Sequence, residues 1–345
     1  MSPVDLRSDT LPVDLRSDTV TTPTHEMRRA MADAEVGDDL YGEDPTVNRL
    51  QSLAASLLGT QAALYVPSGT MANQLAIHVL APPGTEVLCP DRAHVYRHEA
   101  AAAPGNSGVQ VHPLWDLPDG VRTAIEGVDH HLPTPSMLVI ENTYMPLSGA
   151  PIAAAEMKTL CDLAHAGGLR VHVDGARIWN ASIALGVAPR ELVAPADTVM
   201  FCLSKGLGAP VGSLLCGPAD LISRARVQRT RWGGAMRQAG IIAAAGIVAL
   251  ETMVERLGDD HERARRLAEA IAVRWPGAVD PARVRTNIVC ADVGSLPPDF
   301  VGRLGRLGVR SGTIDPRTVR FVTHKDVDDD AITATLRAFD EVAAA

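Results

Sequence analysis

Residues 198–213 read TVMFCLSKGLGAPVGS. The run from Thr198 to Leu203 is apolar or β-forming, and it stops at once in Ser204-Lys205, followed by Gly206, Gly208 and Pro210. A short apolar run bounded by turn residues predicts a strand buried on both faces. The same pattern recurs upstream at Ala62–Val66, Glu86–Cys89, Val109–Leu114, Met137–Ile140 and Leu169–Val173, and downstream at Ser213–Cys216. Amphipathic stretches such as Met71–Leu80 and Ala154–Ala166 separate several of these runs. Buried strands alternating with helices predict an α/β fold: a mostly parallel sheet of about seven strands flanked by helices.

Helical pattern prevails from about Pro218 to Val273 and reads as a long connecting helix. Val284–Cys290 and Val319–Val322 then read as strands, Pro298–Leu307 as a helix, and Asp329 onward as a last helix. This predicts a smaller C-terminal α/β domain. The expected division is an N-terminal arm at 1–30, a large domain at 31–245 and a small domain at 246–345. No low-complexity linker separates them, so they are expected to pack closely. The arm carries a duplication: PVDLRSDT occurs at 3–10 and again at 12–19. The unit is too short for a solenoid repeat. The second copy runs directly into Val20-Thr21-Thr22-Pro23 and is the one expected to have a structural role; the first is expected to be disordered.

Composition narrows the function. With 32 Lys+Arg against 41 Asp+Glu the net charge is -9, which argues against a general nucleic-acid binder. No apolar run is long enough to span a membrane. The N-terminus carries Asp5, Arg7 and Asp9 and no apolar stretch, so no secretory signal is expected. The five cysteines are odd in number and form no C-x-x-C, which fits buried reduced thiols in a cytoplasmic protein. Only three side chains carry a primary amine: Lys158, Lys205 and Lys325.

Parallel sheets bind ligands at the carboxyl ends of their strands. Lys158 lies in an amphipathic helix and Lys325 sits amid acids, so both are expected to be solvated. Lys205 instead ends a strand in a Gly-rich, poorly charged turn, a setting suited to Schiff-base chemistry. A snorkelling or anion-binding lysine would read the same way. Asp174 ends the run Leu169–Val173, where a carboxylate can keep a pyridine nitrogen protonated, or simply cap a helix. Arg177 suits a bidentate clamp on a carboxylate, or a pairing with a surface acid. In YVPSGTMAN (65–73) a strand leads through small residues into a helix, which presents N–H groups to phosphate or is ordinary capping. No Walker loop and no G-x-G-x-x-G is present, which leaves an NAD-dependent enzyme a distant alternative. His94 and His98 have i,i+4 spacing, but H-E-x-x-H is absent and no third ligand is evident, so no metal is expected. A lysine, an aspartate and a phosphate turn in this order suit pyridoxal 5'-phosphate.

The sequence resembles the low-specificity L-threonine aldolases, aspartate-aminotransferase-like (fold type I) pyridoxal enzymes. The matching stretches are DLRSDTVTTPT (14–24), GDDLYGEDPTVNRLQ (37–51), PSGTMANQ (67–74), HVDGARIWNA (172–181), SKGLGAPVGS (204–213), GGAMRQAG (233–240) and VRFVTH (319–324). The resemblance implies retro-aldol cleavage of L-threonine, L-allo-threonine or another β-hydroxy-α-amino acid to glycine and an aldehyde. It implies that Lys205 carries the cofactor, Asp174 pairs with its ring nitrogen and His94 stacks on the ring and handles protons. Gly69, Thr70 and Ser204 would hold the phosphate, with Arg237 reaching a phosphate across a subunit interface. Ser17, Arg177 and Arg320 would bind the substrate carboxylate, with Tyr41 and Tyr144 also at the substrate. It further implies a homo-oligomer, usually a tetramer built from dimers. One departure stands out: Glu141-Asn142-Thr143 is followed by Tyr144 where the family usually has a histidine, so the Cβ preference is open. A phenol is a poor base at neutral pH. The alternatives are another pyridoxal-dependent lyase or racemase, and a non-catalytic pyridoxal-binding scaffold.

Overall fold

A computed structural model describes residues 12–344. The first copy of the duplication lies outside the described residues. In chain order the strands are β1 (Val13–Leu15), β2 (Ala62–Val66), β3 (Glu86–Pro90), β4 (Gln110–Leu114), β5 (Pro135–Glu141), β6 (Arg170–Asp174), β7 (Thr198–Cys202), β8 (Ser213–Gly217), β9 (Ile288–Asp292), β10 (Val309–Asp315) and β11 (Thr318–Val322).

Seven strands form the main sheet in the order β2-β8-β7-β6-β5-β3-β4. Neighbours from β7 to β4 pair parallel; β8 runs antiparallel to both β7 and β2. The fold expected from the apolar runs is therefore the fold observed. Every residue of β3, β7 and β8 is buried, because helices cover both faces. One face packs against the helix Pro45–Leu58 and the helix Gly240–Thr252, and the other against the helix Gly69–Leu80. Each layer buries apolar area worth roughly 25 cal/mol per Å².

The second sheet has the order β1-β10-β11-β9. Its core gathers Trp275, Phe300, Phe321 and Phe339, whose rings meet edge to face. Residues Val13–Leu15, assigned to the arm on sequence, are an edge strand here, parallel to β10, with Leu15 fully buried.

Two local expectations are corrected. The stretch 218–273 is three helices, Ala219–Arg231, Gly240–Thr252 and Leu257–Arg274, and not one long connector. The first break includes Gly233 at φ +72°, a left-handed conformation that ends the helix. Lys325, expected to be solvated, has a side chain only 12% exposed. Its methylenes lie over Gly208, whose φ is +78° and which has no Cβ to displace them, while its amine pairs with Asp326. Lys158 is exposed as expected, paired with Asp162 on its own helix.

Candidate active site

Register builds the site. Glu141 at the end of β5 is the partner of Asp174 at the end of β6, and Asp174 is the partner of Met200 on β7. β5 and β6 therefore end level, and β7 runs two residues further, to Cys202. Past β7 the chain turns through Ser204-Lys205, held where the Lys205 carbonyl accepts from the Gly208 N–H at 2.8 Å. Past β3 a short loop delivers His94. These ends, the start of the helix Gly69–Leu80, and Ser17 and Arg320 from beside the second sheet enclose a cavity of about 280 Å³.

Ser68 caps that helix by accepting the Met71 N–H. The first N–H groups of a helix have no partner within it, so those of Gly69 and Thr70 remain for an anion beside Ser204. A Cβ on Gly69 would stand 2.9 Å from Cys202 Sγ and 3.0 Å from the Met200 methyl. Only glycine lets the helix start sit this close to β7.

Asp174 is buried; its Oδ1 accepts the Ala176 N–H and its Oδ2 accepts from Asn73 at 2.8 Å. Burial alone would raise its pKa, but the charges of His94 and Lys205 and the Asn73 hydrogen bond outweigh that and lower it. His94 Nδ1 lies 2.7 Å from Glu99 Oε1. Burial pushes the imidazole pKa down, yet the Glu99 hydrogen bond and the Asp174 charge raise it overall. Glu141 accepts the backbone N–H groups of His94 and Met145. Burial, reinforced by the Asp174 charge, pushes its carboxyl up to about 7.

The arm forms the opposite wall. Asp18 is fully buried and closes on Arg177, Oδ2 accepting from Nε at 2.8 Å and Oδ1 from Nη2 at 2.6 Å. Burial would raise the Asp18 carboxyl, but Arg177 holds it well below the carboxylate range. Arg177 thus pairs with an acid of its own chain, and Nη1 is the part of its fork left for a ligand. Arg320 donates from Nη2 to the Arg16 carbonyl at 2.9 Å, and its buried Nε has no partner among the described residues. Thr21 Oγ1 donates to the Lys205 carbonyl at 3.2 Å. Every one of these arm contacts comes from the second copy of the repeat or the residues just after it. Asp18→Asn is therefore expected to cost about 3–5 kcal/mol of stability, since it strands a buried guanidinium. Asp9→Asn, the same change in the first copy, is expected to cost less than about 0.5 kcal/mol. Urea unfolding of the two variants checks this; equal losses would show that the copies are interchangeable.

Of the residues expected at the site, Ser17, Gly69, Thr70, His94, Asp174, Arg177, Ser204, Lys205 and Arg320 line the cavity. Tyr144 does not; its neighbour Thr143 does. Burial pushes the Tyr144 phenol pKa up. Tyr41 is 75% exposed, and Arg237 is an exposed partner of Asp38 at 3.1 Å; neither lines the cavity of its own chain. Sequence reasoning passed over Asp18, Asn73, Glu99, Glu141 and His172. Two signals were available: Asp18 adjoins Ser17 in RSDT, and His172 shares a strand face with Asp174 at i,i+2.

His172 is wholly buried, and that burial lowers its imidazole to about 4. Between about pH 6.5 and 4 the unfolded chain binds a proton that the folded chain does not, so stability falls as pH falls through this window. The loss approaches about 3 kcal/mol at pH 4. Urea midpoints of the wild type across the window are expected to slope more steeply than those of His172→Gln; parallel slopes would refute the assignment.

A lysine, an aspartate and a free helix N-terminus converge at the carboxyl edge of a mostly parallel seven-stranded sheet, in a chamber with an unpartnered arginine Nε. That arrangement fits pyridoxal 5'-phosphate and defines an enzyme of the aspartate-aminotransferase-like class. The profile of the Beta-eliminating lyase family matches residues 14–295, and the chain belongs to that family. It is 41% identical to the low specificity L-threonine aldolase of Escherichia coli (strain K12) over 331 residues, 94% of each chain. It is 36% identical to low-specificity L-threonine aldolase 1 of Arabidopsis thaliana over 354 residues, 99% of this chain and 96% of the relative. In fold it is similar to a threonine aldolase of Leishmania major, with TM-score 0.81, 18% identity and coverage of 96% and 100%. It is likewise similar to the serine palmitoyltransferase of Sphingomonas wittichii, with TM-score 0.76, 16% identity and coverage of 96% and 87%.

Proposed function

We propose that this chain is a pyridoxal-phosphate-dependent aldehyde-lyase. It cleaves the Cα–Cβ bond of L-threonine, L-allo-threonine or a related β-hydroxy-α-amino acid to glycine and an aldehyde. The observation that carries the reading is the grouping of Lys205, Asp174, the Gly69–Thr70 helix start and Arg320 around one 280 Å³ cavity, in a chain 41% identical to an L-threonine aldolase over 94% of both.

When bound, the cofactor supplies a carbonyl for Schiff-base exchange and an electron sink for the pair released from Cα–Cβ. Lys205 provides the amine that holds it. The N–H groups of Gly69 and Thr70 and the Ser204 hydroxyl hold its phosphate. Asp174, kept ionised, holds a proton on the ring nitrogen. Arg320, with Ser17 and Arg177 Nη1, binds the substrate carboxylate and fixes its orientation. His94, with Nδ1 on Glu99, keeps Nε2 for the β-hydroxyl proton, which it takes directly or through a water. Loss of that proton releases the aldehyde, and a proton returned to Cα completes glycine. Tyr144, with its raised pKa, serves at most as a donor.

The exposed Arg237 and Tyr41 support a second element of the reading: they complete the site of a neighbouring subunit in a homotetramer. Leu40, Tyr41, Val227 and Ile241 are exposed apolar residues in the same sequence segments. Five unpaired cysteines support a reducing, cytoplasmic location. No helix among the described residues is long and apolar enough to cross a membrane.

Purified protein with added cofactor is expected to release acetaldehyde and glycine from L-threonine in equal amounts. A 2-oxo acid with ammonia in their place would replace this reading with β-elimination. Rates on L-threonine, L-allo-threonine and β-phenylserine then set the Cβ preference.

A further inference from the structure

Two buried residues have no step in the chemistry above: Asn73, which lines the cavity, and His172, which does not. Asn73 is 2% exposed, one turn into the helix Gly69–Leu80. Its Nδ2 donates to Asp174 Oδ2 and to Glu99 Oε1, each at 2.8 Å. Its Oδ1 lies 3.0 Å from His172 Nε2, and His172 Nδ1 lies 2.8 Å from Thr198 Oγ1. Gln74 Nε2 donates to the second oxygen of Glu99 at 2.7 Å.

With His172 kept neutral by its burial, these contacts leave one assignment of protons. Two carboxylates face the same end of the Asn73 amide, so that end must be the NH₂, the only group there with two N–H bonds. The carbonyl end then needs a donor, which fixes the proton of His172 on Nε2. His172 Nδ1 is left as the acceptor for the Thr198 hydroxyl. The opposite tautomer would set a lone pair against the Asn73 carbonyl.

Asp174 and Glu99 each offer an oxygen within 4.8 Å of the other and of a His94 nitrogen. Two carboxylates so close in a buried site ordinarily share a proton. Resting on the reading that Asp174 faces the cofactor ring nitrogen, we propose that Asn73 is a positioning residue. It divides its two N–H groups between the carboxylate that serves the ring and the carboxylate that orients His94. Both acids then stay ionised at once, and His172 with Thr198 locks the amide in the orientation that does this. One side chain thereby couples the ring-nitrogen partner to the residue that handles the hydroxyl proton.

The test uses cofactor-free and cofactor-loaded full-length protein. In cofactor-free wild type with ¹⁵N-labelled histidine, two-bond ¹H–¹⁵N correlations are expected to show His172 neutral, with its proton on Nε2. A His172 protonated on Nδ1, or on both nitrogens, at pH 7 overturns the proposal without any variant. Asn73→Leu, nearly equal in size but without hydrogen bonds, is expected to shift the His94 and His172 resonances. It is also expected to weaken pyridoxal phosphate binding by about 10- to 100-fold, the loss of hydrogen bonds to charged acceptors. KM for the amino acid at saturating cofactor is expected to stay within about threefold, because Arg320 and Arg177 are not in this network; a purely structural defect would move both constants. A folded Asn73→Leu with wild-type cofactor affinity overturns the proposal. Should that variant fail to fold, the wild-type histidine spectrum decides alone. Wild type that takes up no pyridoxal phosphate would instead overturn the functional reading of Asp174, and the spectrum would still decide the proton network.

Discussion

Lys205→Ala is expected to lower turnover of L-threonine on the order of 10⁴-fold or more, the largest effect of any single change here. Of the three lysines, Lys205 alone lines the cavity that Asp174, Gly69 and Arg320 also line. Lys158 is exposed on a helix and Lys325 is covered beside Gly208, paired with Asp326. No other lysine side chain can take over. Borohydride reduction of the cofactor-loaded wild type is expected to mark one peptide, the one containing Lys205. A variant that kept full turnover, or a label on another peptide, would remove the assignment.

Asp174→Asn is the second large effect, a loss of about 10²- to 10³-fold in kcat. The change is nearly isosteric, so the contact to the Ala176 N–H survives, but the charge that holds the ring proton is gone. The new amide also faces the Asn73 NH₂, leaving two donors opposed. Cofactor is still expected to bind, because the helix start and Ser204 are untouched, and its visible absorption is expected to shift. Turnover within tenfold of wild type with cofactor bound would show that the carboxylate is not the ring partner.

The main sheet was legible because its strands are buried on both faces, and such strands announce themselves as short apolar runs. The second sheet was harder. In β10 the sequence VRSGTID alternates, and its exposed or half-buried Arg310, Thr313 and Asp315 hide the pattern. Only three residues of β1 are paired, too few to stand out from the repeat around them. Site residues that end a strand were legible for the same reason as the strands: Asp174 and Lys205 interrupt apolar runs. Asn73 and Asp18 were not, because their partners lie far off in the chain; Asn73 and Asp174 are 101 residues apart, and Asp18 and Arg177 are 159 apart. Locally, Asn73 is an ordinary helical residue and Asp18 an ordinary turn residue. Arg177 was found, but the acid that holds it came from the arm and not from a ligand.

The covering of Lys325 has a practical side. In the folded chain Lys205 lines the cavity and Lys325 lies against Gly208, paired with Asp326, so Lys158, whose side chain is 69% exposed, is the one lysine open to bulk reagents. Apart from the α-amino group, coupling to an amine-reactive resin should therefore attach every molecule through the same helix, Ala154–Ala166. Lysine attachment would then run through one known helix of each subunit without an engineered tag.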